Sequence, residues 1–211
     1  AGRHAAIDQY IGNNRWLSNG NKSMLDIGCG FPPYTTLDSA TALPEWKITG
    51  ADPSLPHYLV HDSSGNYATF DELKSTVYFQ PATPTIEEWN LLLKDPKATN
   101  AKFEKLLISL LQNNSTDEDG LPRLEINPIE AYESNNLSFV HGGIGQADVE
   151  SVHVIRCFNV LFYFDNVFFN NALDWFSNQL HEGGILLVGG NWAASTESYY
   201  GVYQKNGSNL I

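Results

Sequence analysis

Residues 24–35 read "MLDIGCGFPPYT", and the interpretation of the whole chain starts from them. A short apolar run ends in an acid, passes into a Gly-x-Gly turn, and is followed by two prolines. The run reads as a buried strand and "YTTLDSATALP", after the prolines, as a helix stopped by Pro44. "WKITGAD" is a second strand that again ends in an acid. Strand, glycine turn, helix and strand in that order open a parallel α/β sheet.

Working outward, "AAIDQYIGNNRWL" reads as an opening helix with Ala6, Ile7, Tyr10 and Ile11 on one face. From Leu55 to Asn136 the α/β rhythm breaks. This stretch holds six prolines, the Asn/Asp-rich "QNNSTDEDG", a helix in "ATNAKFEKLLISLLQ" and another in "EEWNLLL". In the longer helix Phe103, Leu106, Leu107, Leu110 and Leu111 fall at helical spacing. "HYLVHD" and "KSTVYFQ" suggest a small β element. Residues 55–136 are expected to form an insertion, or lid, within a single domain spanning 1–211, because ordinary connections reach only about 12–15 residues. The expected role of such a lid is to cover the acceptor side of the site.

The rhythm then resumes. "NLSFVHGG" and "SVHVIRCFNVLFYF" contain strands, and "DNVFFNNALDWFSNQL" is a helix with Asp165 as N-cap and Phe169, Leu173, Phe176 and Leu180 on one face. "EGG" should stop that helix, "ILLVGGN" is a fifth core strand, and "SYYGVYQKNGSNLI" alternates into an Asn206-Gly207 hairpin. The expected fold class is α/β: a Rossmann-like, mostly parallel sheet with helices on both faces and a large insertion between strands two and three.

Composition narrows the function classes. The 211 residues suffice for a full core, and 42% hydrophobic with 17% charged residues is a globular balance. A net charge of −12, with 12 basic residues scattered, lacks the electrostatic footprint of nucleic-acid binding. No apolar run approaches the ~18 residues of a membrane span. Two cysteines make no disulfide framework, so a cytoplasmic setting is expected. The opening "AGRH" lacks an initiator Met, as expected of a processed or trimmed start. His57 and His61 have no Cys-x-x-Cys companion, and no metal is expected.

Ligands of open parallel sheets bind beyond the carboxyl ends of the strands. Gly28, Gly30, Asp52, His141, Gly143, Cys157 and Asn191 fall at or near such ends. Asp52 follows Gly30 by 22 residues, close to the spacing of about 20 at which an acid takes up a ribose diol. The prolines discriminate among nucleosides. A dinucleotide turn would want glycine where Pro33 stands, and a pyrophosphate needs N–H donors that Pro32 and Pro33 lack. S-adenosylmethionine carries a ribose but no phosphate. Its methionyl end wants close backbone approach at Gly28 and Gly30 and a carboxylate, Asp26, near its ammonium group.

"LDIGCG" resembles the first motif of class I S-adenosylmethionine-dependent methyltransferases, and "ITGADPS" their acidic second strand. "IRCFNVLFYFDN" is similar to a run in chemotaxis-receptor methyltransferases, and "LHEGGILLVGG" to the fifth-strand region of the same fold. The resemblance implies that Asp26, Gly28 and Gly30 contact the methionyl part and Asp52 the ribose, and Cys29, inside the same motif, is expected among the cofactor-binding residues. Gly143 and Ile144 would meet the adenine through their backbone, or Gln146 or Asp148 would reach it, and Phe158 and Asn159 would line the cofactor. The third motif glycine is absent, and Phe158 stands where the chemotaxis enzymes have arginine, so receptor methylation is not implied. The implied activity is direct methyl displacement onto a small-molecule or protein acceptor. His141, Asn159, Tyr163 and Asn191 are the candidates to touch it, with no catalytic residue assigned. A catalytically inactive binding module and an NAD-dependent oxidoreductase are the alternatives. Cys29 and Cys157 sit at neighbouring strand ends and are expected to be free thiols chosen for packing.

Overall fold

The structure, a computed structural model, describes residues 2–14, 22–113, 120, 122–191 and 198–211. The chain divides into two compact units, one made of Ala1–Pro53 with Tyr132–Ile211 and the other of Ser54–Ala131.

In the first unit seven strands form one sheet. β1 (Ser23–Ile27), β2 (Lys47–Asp52), β7 (Leu137–His141), β8 (Val152–Phe158), β9 (Leu180–Asn191), β10 (Ser198–Asn206) and β11 (Asn209–Leu210) lie in the order β11-β10-β9-β8-β1-β2-β7. β1 pairs in parallel with β2 and β8, β2 with β7, and β8 with β9; only β10 and β11 run antiparallel. The expected Rossmann-like, mostly parallel sheet is therefore the one observed, with strands one and four of the core adjacent.

Alternation along each strand sorts its side chains between two cores. Met24, Ile48 and Val154 join Ile7 and Ile11 of α1 (Ala5–Gly12) and Ala40 of α2 (Tyr34–Ala42) on one face. Leu25, Ile27 and Ile155 join Ala172 and Phe176 of α5 (Asn166–Gln179) on the other. Helices thus cover both faces, but the connection 142–151 between β7 and β8 contains none.

Three local expectations are corrected. The opening helix ends at Gly12, and its inward face pairs Ile7 and Ile11 with Asp8, while Ala6 is exposed; residues 15–21 lie outside those described. The "EGG" segment does not stop a helix: α5 ends at Gln179, and Leu180–Asn191 is one long strand whose register against β8 shifts between Val152 and Val154. The terminal hairpin turns at Gly207-Ser208, with Asn206 paired to Asn209; Gly207 takes φ +61°, as a two-residue turn led by glycine requires. Asp165 caps α5, its Oδ1 accepting from the Phe168 N–H at 2.8 Å.

The second unit is a four-stranded antiparallel sheet in the order β5-β4-β3-β6, made of β3 (Tyr58–His61), β4 (Tyr67–Phe70), β5 (Thr76–Gln80) and β6 (Arg123–Ile126), with α3 (Ile86–Leu93) and α4 (Pro96–Asn113). The stripe read from α4 supplies its core: Phe103, Leu107 and Leu110 pack with Val60, Ala68, Phe70 and Leu124. Thr85 caps α3 by accepting from the Glu88 N–H. No helix among the described residues is long and apolar enough to cross a membrane.

Candidate functional site

The strand order reverses between β1 and β8, so their connections leave to opposite faces and open a crevice at their carboxyl ends. A cavity of about 420 Å³ occupies that crevice, bordered by Gly28 and Cys29 after β1 and by Phe158 and Asn159 at the end of β8. Its size falls within the usual range of small-ligand sites.

The glycine turn is shaped by backbone need. Gly28 takes φ +79° and Gly30 φ +68°, a region that L side chains avoid. A Cβ on Gly28 would stand 2.4 Å from Val160 Cγ2. The Gly28 N–H donates to Ala51 O at 2.8 Å, and the Gly30 N–H to Asp52 Oδ2 at 3.0 Å, tying the turn to the end of β2. Pro33 is the N-cap of α2, and the Tyr34 N–H is committed to Pro32 O at 2.9 Å. A helix start with two prolines and one internally bonded amide is a poor phosphate cradle.

Beneath the cavity lies an ionic network that no local residue spacing signals. Asp26 and Arg156 are register partners on β1 and β8 and project to the same face. The Arg156 guanidinium donates from Nε to Asp26 Oδ1 at 2.9 Å and from Nη2 to Asp26 Oδ2 at 2.6 Å. Its Nη1 donates to Ser39 Oγ at 2.7 Å and Asp8 Oδ1 at 3.2 Å, and Thr36 Oγ1 donates to Asp26 Oδ2 at 2.6 Å. All three charged groups are buried. Burial alone would push the Asp26 carboxyl up, but the Arg156 charge and hydrogen bonds from Arg156 and Thr36 hold it below the usual carboxylate range. Asp8 has only one contact with the guanidinium; burial dominates there and its carboxyl is pushed up. Asp38, which accepts from the Gly2 N–H at 2.7 Å, also borders the cavity, as does Arg3.

Among the residues singled out from sequence, Asp26, Gly28, Cys29, Phe158 and Asn159 come together on this cavity. Gly30 and Asp52 sit beside it through their hydrogen bond. Gly143 and Ile144 follow β7 and do not border the cavity: Gly143 accepts from the Ala147 N–H, and Ile144 packs on the α5-side core. Asp148 borders a separate cavity with Ser23, Lys47 and Val152. His141 and Tyr163 are exposed. Asn159 and Asn191 bond to each other.

Sequence reasoning missed Arg156, Asp8 and His4. His4 precedes α1, is buried, borders the cavity and lies with its ring centroid 4.9 Å from that of Phe158. Burial first, and then the Arg156 charge, lower its pKa. Nothing in residue spacing ties a histidine ahead of the first helix to the ends of β8 and β9.

Cys29 and Cys157 are both buried and free. Burial pushes both thiols up, Cys157 to about 12, and the Asp26 charge adds to this. Thiolate is the reactive form. Iodoacetamide at pH 8 should therefore leave both unlabelled in the folded protein and label both in urea, read by mass spectrometry. Rapid labelling of either native thiol would contradict the packing role.

No family model matches the chain, and no curated protein sequence does. Solved structures do. A provisionally named S-adenosyl-L-methionine-dependent methyltransferase from Methanococcus maripaludis is 14% identical, with 90% of this chain and 56% of that one covered and a TM-score of 0.43. The N-methyltransferase NodS from Bradyrhizobium japonicum is 13% identical over 91% of this chain and 70% of its own, with a TM-score of 0.40. Coclaurine N-methyltransferase, bound to N-methylheliamine and SAH, is 13% identical over 88% and 35%, with a TM-score of 0.41. The chain thus spans about half the length of the first of these and about a third of the last.

Proposed function

We propose that this protein binds S-adenosylmethionine at the carboxyl ends of β1, β2 and β8 and directs its methyl group onto an acceptor. The carrying observation is the cavity at the strand-order reversal, where a close-packed glycine turn meets a helix start stripped of phosphate donors. The group fits the residues present. Gly28 leaves backbone where a Cβ has no room, the acid Asp38 on the cavity wall suits a cationic ligand, and Asp52 stands at the next strand end for a ribose diol. The motif resemblance of "LDIGCG" and "ITGADPS" agrees with this assignment.

When bound, the cofactor supplies an activated methyl on a sulfonium. The chain's own residues orient it and exclude water, which carries much of the acceleration in a direct displacement. Gly28 and Gly30 allow close backbone approach. Asp26, with both carboxylate oxygens held by Arg156 and Thr36, forms a fixed dipolar pair beneath the cavity that needs no reorganisation.

Calorimetric titration tests the reading. S-adenosylmethionine and its demethylated product should bind, and NAD should not. Asp52→Ala should weaken S-adenosylmethionine by about 1–3 kcal/mol, or about 5- to 150-fold, through loss of hydrogen bonds to a charged acceptor. Undiminished affinity would remove Asp52 from the ribose, and tight NAD binding in place of S-adenosylmethionine would overturn the whole assignment.

A further inference from the structure

We infer that the amino-acid end of the cofactor is held as a zwitterion by two residues outside the glycine motif, its ammonium by Asp38 and its carboxylate by Arg3; this rests on the methyl-transfer reading above. The part that the motif resemblance gives to Asp26 falls to Asp38. Asp26 is 4% exposed, and its two oxygens already accept from Arg156 Nε, Arg156 Nη2 and Thr36 Oγ1. An ammonium drawn there would meet a carboxylate whose charge the guanidinium balances and whose oxygens have little surface left.

Asp38 is placed differently. It lies on α2 one turn beyond Tyr34 and Thr35, and all three border the cavity. The residue is half-buried. Its Oδ2 accepts from the Gly2 N–H at 2.7 Å, while Oδ1 accepts from no described residue. A carboxylate oriented by one backbone donor, with its second oxygen open to the cavity wall, is suited to a charge-assisted bond from a cation.

Arg3 follows Gly2 directly, so the bond that ties Gly2 to α2 also sets Arg3 beside the same cavity. On its other side His4 is anchored to β9, with Nε2 3.2 Å from Asn191 Oδ1. Arg3 itself is exposed and makes no ion pair among the described residues. Of the charged residues bordering the cavity, Asp26 is paired, and Arg3 and Asp38 are not. One open cation and one open anion on a single wall match the two charges of an amino acid. A phosphate would bring only negative charge to that wall, against Asp38.

Calorimetric titration of the whole chain with three probes tests this. S-adenosylhomocysteine carries both charges and no sulfonium, decarboxylated S-adenosylmethionine keeps the ammonium alone of the two, and methylthioadenosine has neither. Asp38→Asn keeps an oxygen for the Gly2 N–H and removes the charge. It should weaken the first two probes at least about tenfold, the usual weight of a hydrogen bond to a charged group. Arg3→Gln should weaken S-adenosylhomocysteine about fivefold and leave the decarboxylated probe unchanged. Methylthioadenosine should bind the wild type at least about tenfold more weakly than S-adenosylhomocysteine, or not at all, and respond to neither variant. Undiminished S-adenosylhomocysteine affinity in Asp38→Asn would return the ammonium to Asp26 and overturn the inference. Equal losses for every probe would reveal a merely structural effect and overturn it too, as would an Arg3→Gln loss that is absent or shared by the decarboxylated probe. Failure of the wild type to bind any of the three would instead sink the methyl-transfer reading, a separate and recognisable result.

Discussion

Replacing Arg156 with methionine is expected to destabilise the protein by about 3–5 kcal/mol at pH 7, the usual consequence of removing one member of a buried ionic group. The guanidinium is fully buried and touches Asp26 twice, Asp8 once, Ser39 and the Thr35 carbonyl. Methionine fills much of the volume but leaves two buried carboxylates without a counter-charge. The pH dependence has a definite sign. In the wild type the folded Asp26 carboxyl lies below its unfolded value, so its contribution is present above about pH 4 and is lost as pH falls through the folded pKa. In the variant burial is opposed chiefly by the Thr36 hydrogen bond, and Asp26 then gains protons more readily when folded. The deficit should therefore narrow as pH falls towards about 4. Urea unfolding of both proteins between pH 4 and 8 measures it. A deficit below about 1 kcal/mol, or one independent of pH, would mean that the network is not the keystone its geometry describes.

Gly28→Ala is the second large effect. Two costs add at this position. The φ of +79° imposes about 1–2 kcal/mol on any L side chain. The new methyl would also stand 2.4 Å from Val160 Cγ2, and relieving such an overlap in a packed site costs about 1–3 kcal/mol. The expected total is about 2–5 kcal/mol, with ligand affinity lost as the turn shifts. Gly30→Ala is the control: its φ of +68° is similar but no atom lies within 4 Å, so only the backbone cost remains. Thermal denaturation of the pair separates the terms. Equal losses would show that the Val160 contact yields easily.

Much of the parallel core was legible because it is written locally. Met24–Ile27 and Lys47–Asp52 combine apolar runs with punctuating glycine and acid, and α4 shows its stripe within a few turns. The errors came where a distant partner overrides local signals. "EGG" reads as a helix stop, yet pairing with β8 draws those glycines into a strand with an irregular register. Arg156 sits in a run that alternates like any buried strand, and its partners lie 130 and 148 positions earlier, so no window of sequence contains them. His4 meets Asn191, itself bonded to Asn159, near the ends of β8 and β9, a neighbourhood only the fold creates.

The pairing of β2 with β7 bears on how the chain assembles. Asp52 lies opposite His141 although Ser54–Ala131 intervenes, and closing so long a flexible loop would carry a heavy entropic cost. Within the intervening unit, however, Tyr58 near its start pairs with Ile126 near its end, around a core of its own. Once that small sheet has formed, its entrance and exit are held side by side. The remaining gap is then two short tethers, and β7 reaches its place at the sheet edge by a nearly local step. In folding terms the excursion behaves as a graft with adjacent ends, the arrangement in which one compact body interrupts another most cheaply.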